Sequence, residues 1–143
     1  MSRKRSRARS HAVQALYQWQ VTGQNVSDIV SQFLAEQDPR RFEVGYFRDL
    51  VHGIPVQISH LDEILAPHLD RPMEQVDLVE RAILRLAAYE LTQHPEIPYR
   101  VVINESVELA KTYGAEQGHR YVNGVLDKVA RILRSHEAGT GVS

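Results

Sequence analysis

Residues 77–91 read Asp77-Leu-Val-Glu-Arg-Ala-Ile-Leu-Arg-Leu-Ala-Ala-Tyr-Glu-Leu91, and this stretch decides the fold class. Its first four residues are typical of a capping box, in which Asp77 accepts from backbone N–H groups and Glu80 reaches back. Asp77 and Arg81 also form an i,i+4 pair in the favourable order. The apolar residues recur at helical spacing. They predict a helix that buries Val79, Ala82, Ile83, Leu86 and Ala87.

The same helical periodicity recurs through the rest of the chain. It predicts helices from Ser10 to Gly23, from Ser27 to the break at Asp38-Pro39, over 47–65 with a break or kink at Pro55, from Arg100 to Tyr113, and from Glu116 to Arg134. No segment shows a convincing run of period-two alternation. The sequence therefore predicts an all-α protein, a compact bundle of six to seven helices.

Length and composition exclude several classes of protein. The chain has 143 residues, which suggests one domain with a real core, and it has no cysteine. It therefore has no disulfide framework, cysteine nucleophile or thiolate zinc site, and a reducing compartment fits. No apolar stretch approaches the roughly 20 residues of a membrane helix. The basic N-terminus has no apolar segment after it, so we expect no secretory signal and a cytoplasmic location away from membranes.

The charge is unevenly distributed, although 17 Lys and Arg residues nearly balance 18 Asp and Glu residues. Residues 1–20 carry about +5, residues 21–80 about −7 and residues 81–143 about +1. We expect a flexible basic arm at 1–7, one helical domain at 8–134 and a disordered tail at 135–143. The arm suits a polyanion such as RNA, but short basic runs also serve as solubilising tails.

Catalytic and metal-binding patterns are weak. His52, His60 and His68 are eight residues apart, a spacing that rotates each by about 80° around a helix, so they do not converge. The carboxylate pairs Asp62-Glu63 and Glu105/Glu108 show no sign of converging on a pocket. Phosphate-binding, dinucleotide-binding and nucleophile-elbow motifs are absent from the sequence. We therefore expect no enzyme activity, no metal and no cofactor.

Two tyrosines lie beside basic residues. Tyr17 is on the helix that follows the arginines, and Tyr121 follows Arg120. Single-stranded nucleic acid is bound by a basic track with aromatic stacking. A half-buried tyrosine with a solvated hydroxyl is an equally good interpretation of either residue.

Several strings together resemble the NusB family of bacterial transcription antitermination factors, from about residue 5 to residue 134. They are Arg7-Ala-Arg9 with Ala12-Val-Gln-Ala-Leu-Tyr-Gln-Trp19, Tyr46-Phe-Arg-Asp-Leu50, Arg81–Leu91, Ile103-Asn-Glu-Ser-Val-Glu-Leu-Ala-Lys111 and Tyr121-Val-Asn-Gly-Val-Leu-Asp127. The resemblance implies two small helical subdomains. It also implies binding of single-stranded boxA-type RNA of ribosomal RNA operons, together with a NusE-type ribosomal protein, other Nus factors and RNA polymerase. Some members form homodimers.

The resemblance also implies roles for individual residues. The RNA-binding set comprises Arg3, Lys4, Arg5, Arg7, Arg9, Gln14, Tyr17, Gln117, Arg120 and Tyr121. Glu80 matches an acidic position near the surface that contacts the basic NusE-type partner, which the −7 segment suits.

The sequence departs from the family at Pro55, inside a helix that relatives often continue, and at Gly118, where relatives often carry polar or acidic residues. Asn123-Gly124 by itself predicts a turn. The resemblance places it inside a helix, with glycine allowing close packing, and we follow it because the apolar spacing is unbroken. Two alternatives remain: a NusB-like RNA-targeting module, and a helical oligomerisation module without an antitermination role.

Overall fold

The computed structural model describes residues 2–138, and helices dominate that range. The α-helices are α1 (Arg3–Thr22), α2 (Val26–Glu36), α3 (Val44–Val56), α4 (Ile58–Leu65), α5 (Leu78–Gln93), α6 (Tyr99–Tyr113), α7 (Gly118–Leu133) and α8 (Ser135–Ala138). Two 3₁₀ turns, Ala66–His68 and Met73–Gln75, connect α4 to α5. Residues 2–138 contain no strand, which confirms the all-α class. The eight helices in this range exceed the predicted six to seven.

The chain divides into two compact units between Gln57 and Ile58. The N-terminal unit contains α1–α3, and the C-terminal unit contains α4–α8. The division follows Pro55 by two residues, because α3 ends at Val56 and α4 begins at Ile58. The predicted break in the apolar run 47–65 is therefore present. A single domain over 8–134 stays a prediction.

The first helix begins earlier than predicted. It begins at Arg3 rather than near Ser10, so residues 3–7 form helical turns instead of a separate flexible arm. Ser2 caps the helix by accepting a hydrogen bond from Arg5 N at 3.3 Å. The backbone N–H of Glu43 also donates to Lys4 O at 3.2 Å, which ties the first turn to the segment before α3. Gly23 ends α1 at φ 68°, as predicted.

A cluster of aromatic rings packs together in the N-terminal unit. The ring of His11 lies 4.7 Å from that of Phe42 and 6.4 Å from that of Phe47, in edge-to-face arrangements. Burial lowers the pKa of His11, so its imidazole is neutral at pH 7. The second helix is capped by Asn25, which accepts from Ser27 N at 2.8 Å, rather than by Ser27 as predicted.

The C-terminal unit is organised around α5, which packs against α4, α6 and α7. Asp77 caps it as predicted, with its carboxylate accepting from Val79 N at 3.1 Å and Glu80 N at 3.2 Å. Ala82, Ile83, Leu86 and Ala87 are all buried, and Val79 is half-buried. The stretch that predicted the fold class therefore supplies the central helix of this unit.

A buried arginine at the C-terminal cap of α7 holds the end of that helix to the last turn of α5 and to the loop that follows it. Arg134, which is 2% exposed, donates to three backbone carbonyls at 2.8–3.1 Å: those of Leu91, His94 and Ile97. Its Nη1 also donates to Glu137 at 2.6 Å, and Glu137 accepts from Tyr99 N at 3.2 Å. These contacts explain why 135–138 form α8, where the sequence predicted the start of a tail. The remaining tail residues, 139–143, lie outside the described residues.

Replacing Arg134 with methionine should cost about 2–4 kcal/mol of unfolding free energy, since buried carbonyls would lose their donors. The matched control is Arg131→Met in the last turn of α7, which removes only an exposed pair with Asp127 and should cost about 0.5 kcal/mol or less. Urea unfolding of the two variants measures the difference. Equal costs would contradict the structural role of Arg134.

Candidate nucleic-acid interface

Four of the predicted RNA-binding residues share one face of α1. Arg3, Arg7, Gln14 and Tyr17 are separated by three, four or seven residues, so they fall within a sector of about 80° around the helix. Arg3 and Gln14 are exposed, Arg7 is half-buried, and 41% of the surface of Tyr17 is exposed to solvent. We call these four residues the α1 stripe. The structure makes Tyr17 a surface aromatic, available for stacking.

Two of the predicted RNA-binding arginines lie on the opposite side of the same helix. Arg9 is completely buried, with its guanidinium carbon 5.4 Å from the centre of the Tyr46 ring. Arg5 binds Glu43 through two hydrogen bonds of 3.1 Å and lies 4.3 Å over the same ring. Burial therefore keeps Arg9 from any phosphate, and Arg5 is already paired. The five basic residues of the predicted RNA-binding set therefore do not share one exposed face, although Lys4 is exposed, and their role in RNA binding stays a prediction.

A cleft of about 400 Å³ adjoins the α1 stripe. Arg7, Ser10 and His11 line one side, and the segment between α2 and α3 lines the other with Gln37, Asp38 and Arg41. Arg40 holds the carboxylate of Asp38 by two hydrogen bonds of 3.1 Å. Arg41 is exposed, and its backbone carbonyl accepts from Arg7 Nη1 at 3.4 Å. Sequence reasoning missed Arg41, although the Arg40-Arg41 doublet inside an acidic segment was a visible signal.

Tyr121 occupies a different environment from Tyr17. It is half-buried with its hydroxyl oxygen enclosed, and the Arg71 guanidinium carbon lies 4.9 Å from its ring centre. Asp70 holds Arg71 by hydrogen bonds of 2.6 and 2.8 Å. Burial raises the pKa of Tyr121, and the neighbouring Asp70 raises it further. The structure favours a packed tyrosine, beside cation and carboxylate partners that sequence reasoning missed.

The loop before α7 presents Gln117 in a strained conformation. Gln117 is exposed at the N-terminal cap position with φ 70°, a left-handed value that costs a residue other than glycine roughly 1–2 kcal/mol. Such strain often occurs at functional sites. Its exposed position is also what an RNA-contacting residue requires.

Gly118 is explained by its neighbour Glu80. A Cβ at Gly118 would lie 3.1 Å from the carboxyl carbon of Glu80 and collide with Oε2. Glu80 is only 6% exposed, so the side chain predicted to contact a partner offers little surface. Burial raises its pKa and Asp77 adds to the effect, while Arg71 opposes it. Glu80, in the first turn of α5, is thus packed against the start of α7.

A second cleft, of about 270 Å³, lies along the outer face of α7. Arg120, Tyr121, Gly124, Val125 and Lys128 line it on that helix, and His68 and Asp70 line the other wall. Asn123-Gly124 is helical, as expected. The expectation that Gly124 allows close packing is wrong, because a Cβ placed there would meet nothing within 4 Å.

Metal and membrane features are absent from the part of the chain that the structure describes. Within it, no three His, Asp or Glu side chains are grouped so that they could hold a metal ion. A membrane-crossing helix is likewise not found in residues 2–138.

Comparisons with known proteins agree with one another. The model of the NusB family matches residues 6–131. Transcription antitermination protein NusB of Nitrosococcus oceani is 56% identical over 96% of this chain and 92% of its own, and that of Alcanivorax borkumensis is 57% identical over 94% and 89%. Among solved structures, T. maritima NusB matches with a TM-score of 0.81, 31% identity and coverage of 92% and 93%. A crystal structure of the antitermination factors NusB and NusE with double-stranded RNA matches with a TM-score of 0.78, 29% identity and coverage of 92% and 99%.

The raised pKa of Glu80 predicts that this residue lowers the free energy of unfolding increasingly as the pH rises. The folded state binds a proton that the unfolded state has lost between the ordinary pKa of 4.5 and the raised one, so wild-type stability falls as the pH rises through that window. Glu80→Gln removes the titration. The variant should gain stability relative to wild type as the pH rises from 4 to 8, as followed by thermal unfolding. A constant difference across this range would contradict the burial argument.

Proposed function

The chain belongs to the NusB family, and on that premise we propose that it is a transcription antitermination factor. It binds boxA-type RNA of ribosomal RNA operons together with a NusE-type ribosomal protein, as part of the RNA polymerase antitermination complex with other Nus factors. The relatives that are more than half identical over nearly the whole chain support this function. A similar chain has been crystallised with NusE and RNA, which supports the partners.

The α1 stripe is the single observation that carries the RNA-binding role. Arg3 and Arg7 offer positive charge at one end of the stripe, and Gln14 and Tyr17 continue it toward the other end. Guanidinium groups release counterions when they pair with phosphates, and an exposed tyrosine stacks on any base. Arg41, across the cleft from Arg7, adds a further phosphate contact. In the C-terminal unit, Gln117 and Arg120 supply further contacts. Tyr121 is half-buried and lines the same cleft as Arg120, so it contributes the part of its ring that Arg71 leaves uncovered.

The protein partner contributes through coupling. The α1 stripe and Arg41 contain few cations and therefore neutralise few phosphates, so RNA binding by the chain alone should be weak. A protein partner that binds the same RNA raises the RNA affinity of the chain, and the chain raises that of the partner. Residues 21–80 carry about −7 and suit a basic partner. Because Glu80 is buried, we assign it a positioning role, in which it holds the start of α7 rather than touching the partner.

The role is non-enzymatic. It requires only binding surfaces, and its place is the cytoplasm, where bacterial transcripts are made. Homodimer formation, as in some family members, stays a prediction. Sedimentation of the protein alone and with the NusE-type partner tests it: a homodimer that persists with the partner present would mean that the two use different surfaces.

The α1 stripe predicts which arginines matter for RNA. Arg3→Ala combined with Arg7→Ala should weaken binding of boxA RNA and lower the salt dependence of log K by about 1.4, the value for two phosphate contacts on a single strand. The melting temperature should stay close to that of wild type, since Arg3 is exposed and Arg7 is half-buried with a long hydrogen bond of 3.4 Å to the carbonyl of Arg41. RNA titrations at several salt concentrations, with and without the partner, measure this.

Arg5→Ala is the matched control from the same helix. It breaks the pair with Glu43 and the contact with Tyr46, so it should lower the melting temperature and leave the salt dependence unchanged. If both variants changed the salt dependence equally, the assignment of separate helix faces would be wrong. If the Arg3/Arg7 variant bound RNA like wild type, the α1 stripe would lose its role.

A further inference from the structure

Gly124 has no structural reason to be glycine within the described residues. It lies inside α7, where glycine is less favourable than any residue except proline because it gives up the most backbone freedom. Among residues 2–138, Gly23 is the only glycine with a positive φ, so the backbone at Gly124 does not require glycine. A Cβ there would meet nothing within 4 Å, so packing does not require it either. Glycine also serves where the backbone must approach a ligand closely, and that use is the one left open at Gly124.

The surroundings of Gly124 indicate what approaches. Arg120 and Lys128 lie four residues before and after it, each turned about 40° from it around the helix, and they are roughly 12 Å apart along the axis. Both are exposed and line the same cleft. The carboxylate in the opposite wall, Asp70, is neutralised by its bidentate pair with Arg71. The cleft is therefore a positively charged slot, and at Gly124 its α7 wall carries no side chain.

We propose that one nucleotide of the bound RNA lies across Gly124, with its base or ribose against the helix backbone and its flanking phosphates on Arg120 and Lys128. The absence of a side chain at Gly124 lets a flat group approach the helix closely. This inference rests on the proposed function and adds to it a subsite with two residues, Gly124 and Lys128, that neither the sequence nor the comparisons assign. A basic protein partner fits the slot poorly, because it would meet two cations.

The test fills the slot without disturbing the fold. Gly124→Ala and Gly124→Leu place a side chain where the structure has open space, and both residues favour helix more than glycine does. The melting temperature should therefore stay equal or rise. Affinity for boxA RNA, measured with the NusE-type partner present, should fall for alanine and fall at least tenfold for leucine, or about 1.4 kcal/mol. Lys128→Ala should lower the salt dependence of log K by about 0.7.

Gly45 provides the matched control. It is an exposed helical glycine in α3 whose added Cβ would also meet nothing within 4 Å, and it lies outside the cleft. Gly45→Leu should leave RNA affinity unchanged. The subsite would be supported if Gly124→Leu bound RNA more weakly than wild type with an undiminished melting temperature, and if Gly45→Leu bound RNA like wild type.

The contrary results are separable. If Gly124→Leu bound RNA like wild type while the Arg3/Arg7 variant lost affinity, the subsite would be wrong and the proposed function would stand. If Gly124→Leu weakened binding of the NusE-type partner measured without RNA, the slot would belong to a protein and not to RNA. If wild type bound no boxA RNA even with the partner, the proposed function would fail and the subsite would fail with it.

Discussion

The ion pair between Arg5 and Glu43, packed over the ring of Tyr46, is the contact on which the N-terminal surface depends. It attaches the first turns of α1 to the segment before α3, and with Ser2 as cap it makes residues 3–7 helical. A partly exposed pair contributes modestly to stability, about 1 kcal/mol or less, but its geometric effect is large. Once these turns are helical, the rotation of about 100° between successive residues places Arg3 and Arg7 on one side of the helix and Arg9 on the buried side.

The two glycines of α7 show how the same residue type can have opposite causes. Gly118 has an internal cause, because the side chain of Glu80 occupies the space where a side chain at 118 would begin. Gly124 is not required by anything in its own unit, and the space above it is open. A glycine with an internal cause says little about function. One without such a cause points to a binding partner where exposed cations line the same cleft, as Arg120 and Lys128 do beside Gly124. The two glycines are distinguished by the burial of their neighbours and by the free space around an added Cβ, and both properties belong to the folded structure.

Much of the fold could be predicted because helical periodicity and caps are local properties. The stretch from Asp77 to Leu91, the end of α1 at Gly23 and the break after Pro55 all follow from residues a few positions apart. The start of α1 and the presence of α8 could not be predicted in this way. The first depends on Glu43, some forty residues from its partner Arg5, and the second on Arg134 reaching carbonyls at 91, 94 and 97.

The all-helical class, the family and the uneven charge follow from residue types and short spacings, so they are present in the amino-acid sequence alone. Which charges are available to a partner depends on the folded structure. It buried Arg9 and Glu80, left Tyr17 exposed and covered a face of Tyr121 with Arg71. It also placed Arg41 beside Arg7, and Lys128 in a cleft with Arg120. The physical reason is that a charge serves a partner only where folding leaves it solvated, and solvation depends on neighbours distant in sequence.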